Sequence, residues 1–393
     1  MPGRVRRNGR ARRMKRILFC SPVPLDPRLG MGKHSLELAD SFRGLGWEAH
    51  AVGPHEIAGG PTRVTPETFP SVLRDFLRRT AASYDVVEYD HAYLPFPRSD
   101  FPPGPLFVAR CMLLHHHFLT TPVPPVPRLR SWLGHALTAG RRRRRVERLV
   151  AQTDATVRHA DLSVVSNNRD AAALVRNGAD PDRIAVLPLG LTPGRLRQFA
   201  AVPDAVPDRP VVGFVGTFDP RKGMCEFPSL IDRVARRVPG VTFRLLGTAG
   251  LVPDVDGVRH YFPRRLRPLL DIRPRYDPEE LPGLLTWVSV GVFPSRVESF
   301  GYGVLEMLAA AIPVVAYDAP GPHVMLPPEY RVPVGAVREL ADRVGDLLTD
   351  PDRLRAARLR ARARAAEFRW EEIAARTAAA YTQRLAGIRG TVV

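Results

Sequence analysis

Short apolar runs alternate with amphipathic stretches along the chain, and this alternation predicts the fold. Residues Arg16 to Ser21 are typical of a buried strand, Lys33 to Leu45 of a helix that ends at Gly46, and Trp47 to Gly53 of a second strand. The alternation of helices and apolar strands continues to Leu189. Because helices that alternate with strands favour a parallel sheet covered on both faces, we expect a doubly wound α/β domain over residues 15–199.

The pattern lapses over residues 200–210, where the stretch VPDAVPDRP carries three prolines and predicts a linker. A second alternating series follows, and we expect a second doubly wound domain over 211–370. The two sheets would face each other across a cleft, with ligands beyond the carboxyl ends of the strands. Residues 371–393 predict a helix that packs back on the first domain, and residues 1–14 predict a disordered basic tail.

Charge and cysteine content indicate which partners and which cellular compartment the protein could have. The formal net charge is +18, and eight of the first 16 residues are Lys or Arg. An arginine excess attracts anionic polymers, diphosphates and lipid headgroups alike, so charge alone does not choose among these partners. Cys20, Cys111 and Cys225 lie far apart and predict reduced thiols in a cytoplasmic protein. The run Arg141 to Arg145 is compatible with a solvated helix face or with peripheral contact at the inner face of an anionic membrane.

The most informative segment is FPSRVESFGYGVLEMLAAAIPVVA, residues 293–316. It predicts a strand, a loop that holds Glu298, and a helix with Glu306 in its early turns. Unpaired amides at a helix start can bind phosphate or sugar oxygens, and Gly301 and Gly303 would let the backbone approach a bulky ligand. A glutamate in this position is suited to accept hydrogen bonds from the two hydroxyls of a ribose.

Two glutamates separated by seven residues in ESFGYGVLE, followed by an apolar helix and PVVA, closely resemble the signature of retaining glycosyltransferase family 4. The segment VGFVGTFDPRKG, residues 212–223, is similar to the first strand and basic loop of the C-terminal domain in that family. The resemblance implies two Rossmann-like domains of the GT-B type, with the donor nucleotide sugar bound by the C-terminal domain.

The resemblance also implies site residues. Lys222 matches the lysine that contacts the donor diphosphate, Glu306 matches the glutamate that holds the ribose, and Glu298 matches the first glutamate, near the donor sugar. The catalytic residues are therefore predicted to be Glu298 and Lys222. The loop and helix start that meet sugar hydroxyls and phosphates through backbone groups match Ser299, Phe300, Gly301, Gly303 and Val304.

This sequence departs from the family pattern at two positions. Many members have an arginine where this chain has Thr217, so we expect Arg221 to supply the second cation for the diphosphate. The glycine common before the final proline of the helix motif is Ala311 here, which is expected to alter only the end of the helix.

Gly30-Met31-Gly32 lies between the first predicted strand and helix, and it resembles the glycine loop of the family, with Gly32 beside the donor phosphates. A Walker loop would need glycine at Pro27 and Ser or Thr at His34, and a dinucleotide fingerprint would need a third glycine at Ser35. Neither alternative fits, which leaves the glycosyltransferase loop or a plain turn.

Histidines follow two predicted strands. His91 and His116 are the candidates for orienting an acceptor hydroxyl, with packing or surface duty as the alternative. The three adjacent histidines from His115 to His117 cannot share one face, so no metal site is predicted.

The resemblance implies transfer from a nucleoside diphosphate sugar to an acceptor hydroxyl, with retention of configuration, without metal and without a cofactor. The acceptor stays open among a small molecule, a lipid and a polysaccharide. Two alternatives remain at this point: a nucleic-acid-binding protein that uses its basic surface, and a non-catalytic protein that binds a nucleotide sugar. Nucleic acid is not the expected partner, because no basic segment is interleaved with aromatic residues.

Overall fold

The computed structural model of the protein describes residues 14–26, 30–60, 64–125 and 132–390, so the predicted tail lies almost wholly outside the described residues. Two six-stranded sheets form in succession, and every strand pairing in them is parallel. The predicted fold class, two tandem doubly wound domains, is confirmed.

The first sheet is built from the six strands that precede residue 190, with helices between them. Its strands are β1 Arg16–Cys20, β2 Glu48–Val52, β3 Val86–Asp90, β4 Leu106–Cys111, β5 Leu162–Val165 and β6 Ile184–Val186. Its helices are α1 Gly30–Gly44, α2 Pro54–Ala58, α3 Phe69–Thr80, α4 His117–Thr120, α5 Trp132–His159, α6 Asn168–Arg176 and α7 Pro193–Ala200.

The second sheet begins directly after residues 201–210, which contain neither a helix nor a strand. Its strands are β7 Val211–Val215, β8 Thr242–Leu246, β9 Leu270–Arg273, β10 Val290–Phe293, β11 Val314–Tyr317 and β12 Arg331–Val332. The remaining helices are α8 Phe227–Arg237, α9 Val255–Tyr261, α10 Leu281–Leu285, α11 Tyr302–Ala309, α12 Pro320–Met325, α13 Val337–Leu348, α14 Pro351–Ala365 and α15 Trp370–Gly390.

The strand orders fix where ligands can bind. The first sheet runs β2-β1-β3-β4-β5-β6 and the second β12-β11-β10-β7-β8-β9. In a sheet of this kind the connections diverge at one point, and the crevice beyond the carboxyl ends of the strands at that point is where ligands bind. The divergence lies between β1 and β3 in the first sheet and between β7 and β10 in the second.

The C-terminal helix α15 lies on the first domain. The Trp370 indole Nε1 donates to the Glu37 carbonyl at 3.2 Å, and the Arg389 guanidinium meets the Asp85 carboxylate at 2.6 Å. Tyr381 is fully buried, and its hydroxyl accepts from Arg110 at 2.9 Å. The chain therefore crosses back from the second domain and is held to the first by both packing and ion pairs.

Three features differ from the sequence-based expectation. β9 and β12 were not predicted, because Leu270–Arg273 alternates apolar and charged residues and Arg331–Val332 spans only two residues. Helix α1 begins at Gly30 rather than at Lys33, so Gly32 lies inside the helix and not in a loop before it.

Within the described residues, no helix has both the length and the apolar character that crossing a membrane requires.

Candidate functional site

Two loops meet where the connections of the second sheet diverge, one after β7 and one after β10. They are locked together by backbone contacts: the Arg296 amide donates to the Arg221 carbonyl at 2.8 Å. Gly223 has φ +90°, and a Cβ there would lie 2.5 Å from the Pro294 carbonyl oxygen. A left-handed glycine is thus required for the loops to approach this closely. The side chains that follow are positioned by this rigid pair of loops.

Lys222, Arg221 and Glu298 form a charged cluster at the junction of these loops. The Lys222 ammonium is bound to Glu298 Oε2, and Arg221 Nη1 lies 3.3 Å from the same oxygen. The Lys222 amide donates to the Asp219 carboxylate at 3.1 Å, and its ammonium sits 5.0 Å from the centroid of the Phe293 ring. Lys222 and Arg221 thus present two cationic side chains at one junction, an arrangement suited to bind the oxygens of an anion.

Burial and the neighbouring charges shift the pKa values of Glu298 and Lys222 in opposite directions. Burial raises the pKa of Glu298, but Lys222 and Arg221 outweigh it and hold that pKa below its usual value. Burial lowers the pKa of Lys222, and the neighbouring Glu298 carboxylate only partly restores it. Both side chains keep a little solvent access, 14% for Lys222 and 12% for Glu298. A ligand can therefore reach the ion pair.

Glu306 lies on α11, and its partner was not foreseen from the sequence. Arg195 Nη2 of α7 lies 3.4 Å from Glu306 Oε1. The guanidinium is held by the Pro278 carbonyl at 2.6 Å and by its stacking 4.7 Å from the centroid of the Phe199 ring. Arg195 comes from the segment just before the inter-sheet connection, 111 residues away in sequence, so no local pattern reveals the pair.

The loop before α11 is shaped by backbone rather than by exposed side chains. Ser299 is fully buried, and its hydroxyl accepts from the Leu114 amide at 3.2 Å while its carbonyl accepts from Asn167 Nδ2 at 2.7 Å. Phe300 and Val304 are also buried. Ser299, Phe300 and Val304, predicted to bind the donor, therefore offer a ligand only their main-chain groups.

Glycine is needed at positions 301 and 303 for two different structural reasons. Gly301 precedes α11 and has φ +92°. A residue with a side chain would be strained in this left-handed backbone conformation. A Cβ on Gly303 would lie 2.5 Å from the Val215 carbonyl oxygen. Gly303 therefore allows α11 to pack on β7. This packing explains the glycine without the close approach of a ligand that the sequence predicted.

Residues 209–350 match the family model described as "Glycosyl transferases group 1". Over these residues the chain is similar to that glycosyltransferase family. The matched residues contain both loops described above, so the predicted resemblance to family 4 is confirmed.

Curated relatives share between a quarter and a third of their residues with this chain over the matched parts. The D-inositol 3-phosphate glycosyltransferase of Nocardia farcinica is 33% identical over 240 residues, which is 56% of this chain and 51% of the relative. The 2-deoxystreptamine N-acetyl-D-glucosaminyltransferase of Streptomyces fradiae is 28% identical over 266 residues, 62% of this chain and 58% of the relative. The chain thus spans about half the length of the curated relatives that it matches.

Solved structures of similar fold cover nearly the whole chain. The sucrose-phosphate synthase of Thermosynechococcus elongatus superposes with a TM-score of 0.72 at 21% identity, covering 95% of this chain and 100% of that one. HepE of Anabaena in complex with UDP-glucose gives a TM-score of 0.64 at 19% identity, covering 94% and 99%. These likenesses establish the GT-B fold.

Gly32 serves packing. A Cβ at Gly32 would lie 2.5 Å from the Pro24 carbonyl oxygen, so the glycine lets α1 lie against the chain that leaves β1. The next residue, Lys33, places its ammonium 5.8 Å from the centroid of the Tyr302 ring at the start of α11. The start of α1 therefore faces the loop that carries Glu298.

The histidines have separate partners. His116 Nε2 lies 2.8 Å from the Asp154 carboxylate and His117 Nε2 lies 2.6 Å from the Asp170 carboxylate. His91 stacks on His115 with ring centroids 5.8 Å apart, and it lies 3.3 Å from the Asp90 carboxylate. Among the described residues, no three His, Cys, Asp or Glu side chains are grouped as metal ligands.

Proposed function

We propose that the protein transfers a sugar from a nucleoside diphosphate sugar to an acceptor hydroxyl, with retention of configuration and without a metal ion. The observation that carries the proposal is the Lys222, Arg221 and Glu298 cluster at the point where the second sheet's connections diverge. A diphosphate bound there would meet two cations and the first amides of α11, which have no acceptors within the helix. Glu306, in the second turn of the same helix, would accept from ribose hydroxyls.

In the proposed reaction, the bond from the anomeric carbon to the diphosphate oxygen breaks and a bond to the acceptor oxygen forms on the same face. The acceptor proton passes to the departing phosphate. Negative charge grows on that phosphate in the transition state, and Lys222 and Arg221 are held where they stabilise it. Glu298 supports this path over a covalent one, because a carboxylate bound by two cations is a weakened nucleophile.

The proposal includes a donor, an acceptor and a cellular location. The donor is a nucleotide sugar, for which UDP-glucose is the first probe because the Anabaena neighbour binds it. The acceptor carries a hydroxyl and is bound mainly by the first domain. We also place the protein in the cytoplasm, at the inner face of an anionic membrane, through the arginines of α5. Neither a cofactor nor nucleic acid has a part in this proposal.

Lys222→Ala tests the proposal directly. We expect turnover of UDP-glucose, or of the UDP-sugar that thermal shift selects, to fall by about 10²–10³, as when one preorganised transition-state donor is removed. Lys15→Ala is the control, because Lys15 precedes β1 at the amino end of that strand and is not part of the proposed site. Turnover in EDTA should equal that with Mg²⁺. Equal activity of Lys222→Ala and wild type would reject the site, and nucleotide-sugar binding without turnover in either protein would favour the non-catalytic alternative.

A further inference from the structure

A groove lies on the second domain between α11, α12 and α14, and its free volume is about 420 Å³. Small-molecule sites usually enclose about 300–1,000 Å³. Pro313 and Val314 line the groove at the amino end of β11. Because the donor loops leave the carboxyl ends of β7 and β10, the groove lies apart from the site of the proposed transfer reaction.

Most of the groove lining is aliphatic. Its buried members include Leu308, Val314, Met325, Ala357 and Ala361. Ala357 and Ala361 lie about one turn apart on the same face of α14. The α14 part of the lining runs from Ala357 to Arg364, which is about 10 Å at the rise of an α-helix. The groove is therefore elongated along the helix, and an aliphatic chain laid in it would be removed from water.

Arg360 places a cation at this groove. The residue is exposed, and its Nη2 donates to the Tyr330 hydroxyl at 3.2 Å. In the ranges of the chain that the structure describes, no carboxylate lies within 4 Å of this guanidinium. The contact with Tyr330 orients the guanidinium and leaves its other donors for the two oxygens of a carboxylate.

The other charged groups of the lining already have partners. Arg364 donates from Nη1 to Glu367 and from its other two nitrogens to main-chain carbonyls of α12, at 3.1 and 2.6 Å. His323 lies 3.1 Å from the Asp318 carboxylate. Among the described lining residues, Arg360 is therefore the cation that an anionic ligand can neutralise.

We infer that this groove binds a straight-chain fatty carboxylate, with the aliphatic chain along α14 and the carboxylate on Arg360. The aliphatic lining and the elongated shape favour a chain over a polar ring, and the guanidinium favours an acid over an alcohol. The inference goes beyond the proposed transfer reaction and does not depend on it, because none of the predicted donor-site residues lines the groove.

Calorimetric titration of the full chain with octanoate, decanoate and dodecanoate tests the inference, with each acid below its micelle concentration. We expect one ligand per chain and an affinity that rises about fourfold for each added methylene that the groove buries. Decan-1-ol should bind about tenfold more weakly than decanoate, because it forms no charge-assisted pair with Arg360. No saturable binding of the three acids, or equal affinities for decanoate and decan-1-ol, would overturn the inference.

Arg360→Gln isolates the contact with the carboxylate. Affinity for decanoate should fall by about tenfold or more, whereas affinity for decan-1-ol should stay at the wild-type value. Arg353→Gln is the matched control, because Arg353 is an exposed arginine of α14 outside the lining. Unchanged decanoate affinity in Arg360→Gln would contradict the inference.

Ala363→Trp tests the position of the aliphatic chain. Ala363 lines the groove but is exposed, so the indole should leave the melting temperature of the ligand-free protein unchanged while decanoate affinity falls at least tenfold. Ala356→Trp, at an exposed position of α14 outside the lining, is the control. Equal decanoate affinities in the two variants would count against the inference. A dimer in sedimentation that Ala363→Trp dissociates and decanoate does not would assign the groove to a second copy of the chain and overturn the inference.

Discussion

At the scale of single residues, Glu298 is positioned to tune Lys222. Burial lowers the pKa of Lys222 and the Glu298 carboxylate raises it, so the carboxylate favours the charged ammonium that the proposed phosphate contact needs. Arg221 Nη1 donates to the Val297 carbonyl at 3.1 Å as well as to Glu298, which orients the second cation. The proposed role of Glu298 is thus electrostatic.

Glu298→Gln should therefore shift the pH dependence of transfer. Without the carboxylate, the pKa of Lys222 falls further, so the alkaline limb of kcat/KM moves to lower pH while the protein remains folded. The measurement is the kcat/KM profile from pH 6 to pH 10, with the exposed Glu279→Gln as control. An alkaline limb that stays where it is in the wild type would show that Glu298 does not set the charge of Lys222.

At the scale of elements, glycines decide how closely α11 approaches the sheet. Gly303→Ala places a methyl group 2.5 Å from the Val215 carbonyl oxygen, so α11 must shift away from β7. Overpacking of this kind costs about 1–3 kcal/mol. Urea unfolding should show that loss, and donor affinity should fall because the helix carries Glu306.

Gly283→Ala is the matched control for that substitution. Gly283 lies within α10, and an added Cβ has no atom within 4 Å. Because alanine restricts the unfolded chain more than glycine does, we expect a gain of about 0.4–1 kcal/mol. Equal stabilities of the two variants would mean that the approach of α11 to β7 is not as tight as the structure indicates.

The sequence predicted elements well where an apolar run is continuous and poorly where it is not. The strand predicted at Arg16 to Ser21 is found at Arg16–Cys20, whereas Leu270–Arg273 was missed because charged residues interrupt it. In the site, the structure brings Lys222 and Glu298 into contact, but their roles stay predictions. Arg195 was missed because its contact with Glu306 joins distant segments, and a single sequence carries no signal for such a pair.

At the scale of the whole molecule, the two domains are fastened across the cleft. Arg169 of α6 binds Asp318, which follows β11, through the carboxylate and the carbonyl, each at 2.8 Å. Asp318 also binds Arg331, and His323 lies 3.1 Å from it. Burial raises the pKa of Asp318, but hydrogen bonds from Arg169, Arg331 and His323 lower it to about 2.

This pairing predicts a pH-dependent contribution to stability. The pKa of Asp318 is depressed in the folded protein relative to about 3.9 in an unfolded chain, so its contribution is complete above about pH 5 and is lost as the pH falls toward 2. Thermal unfolding at pH 5 and pH 3 should show a smaller decrease for Asp318→Asn than for the wild type. Identical decreases in both proteins would exclude the pair as a source of acid sensitivity.

The basic surface of α5 gives the last prediction. Within the described part of the chain, no carboxylate lies within 4 Å of the exposed Arg141, Arg144, Arg145 or Arg148, whereas Arg143 is paired with Glu147 at 2.8 Å. Each arginine near an anionic bilayer contributes about 1 kcal/mol, so replacing all four by serine should weaken binding to phosphatidylglycerol vesicles at least tenfold. Cosedimentation measures this, with phosphatidylcholine vesicles as reference.

A charge-matched variant distinguishes the α5 surface from net charge. Serine at the exposed Arg197, Arg233, Arg353 and Arg376 removes the same charge from other faces and should leave vesicle binding nearly unchanged. Binding should weaken for the wild type as salt rises, because the Debye length shortens. If both quadruple variants lose binding equally, attraction comes from net charge alone. If the wild type binds duplex DNA more tightly than vesicles, the arginines of α5 serve a nucleic acid and the membrane proposal fails.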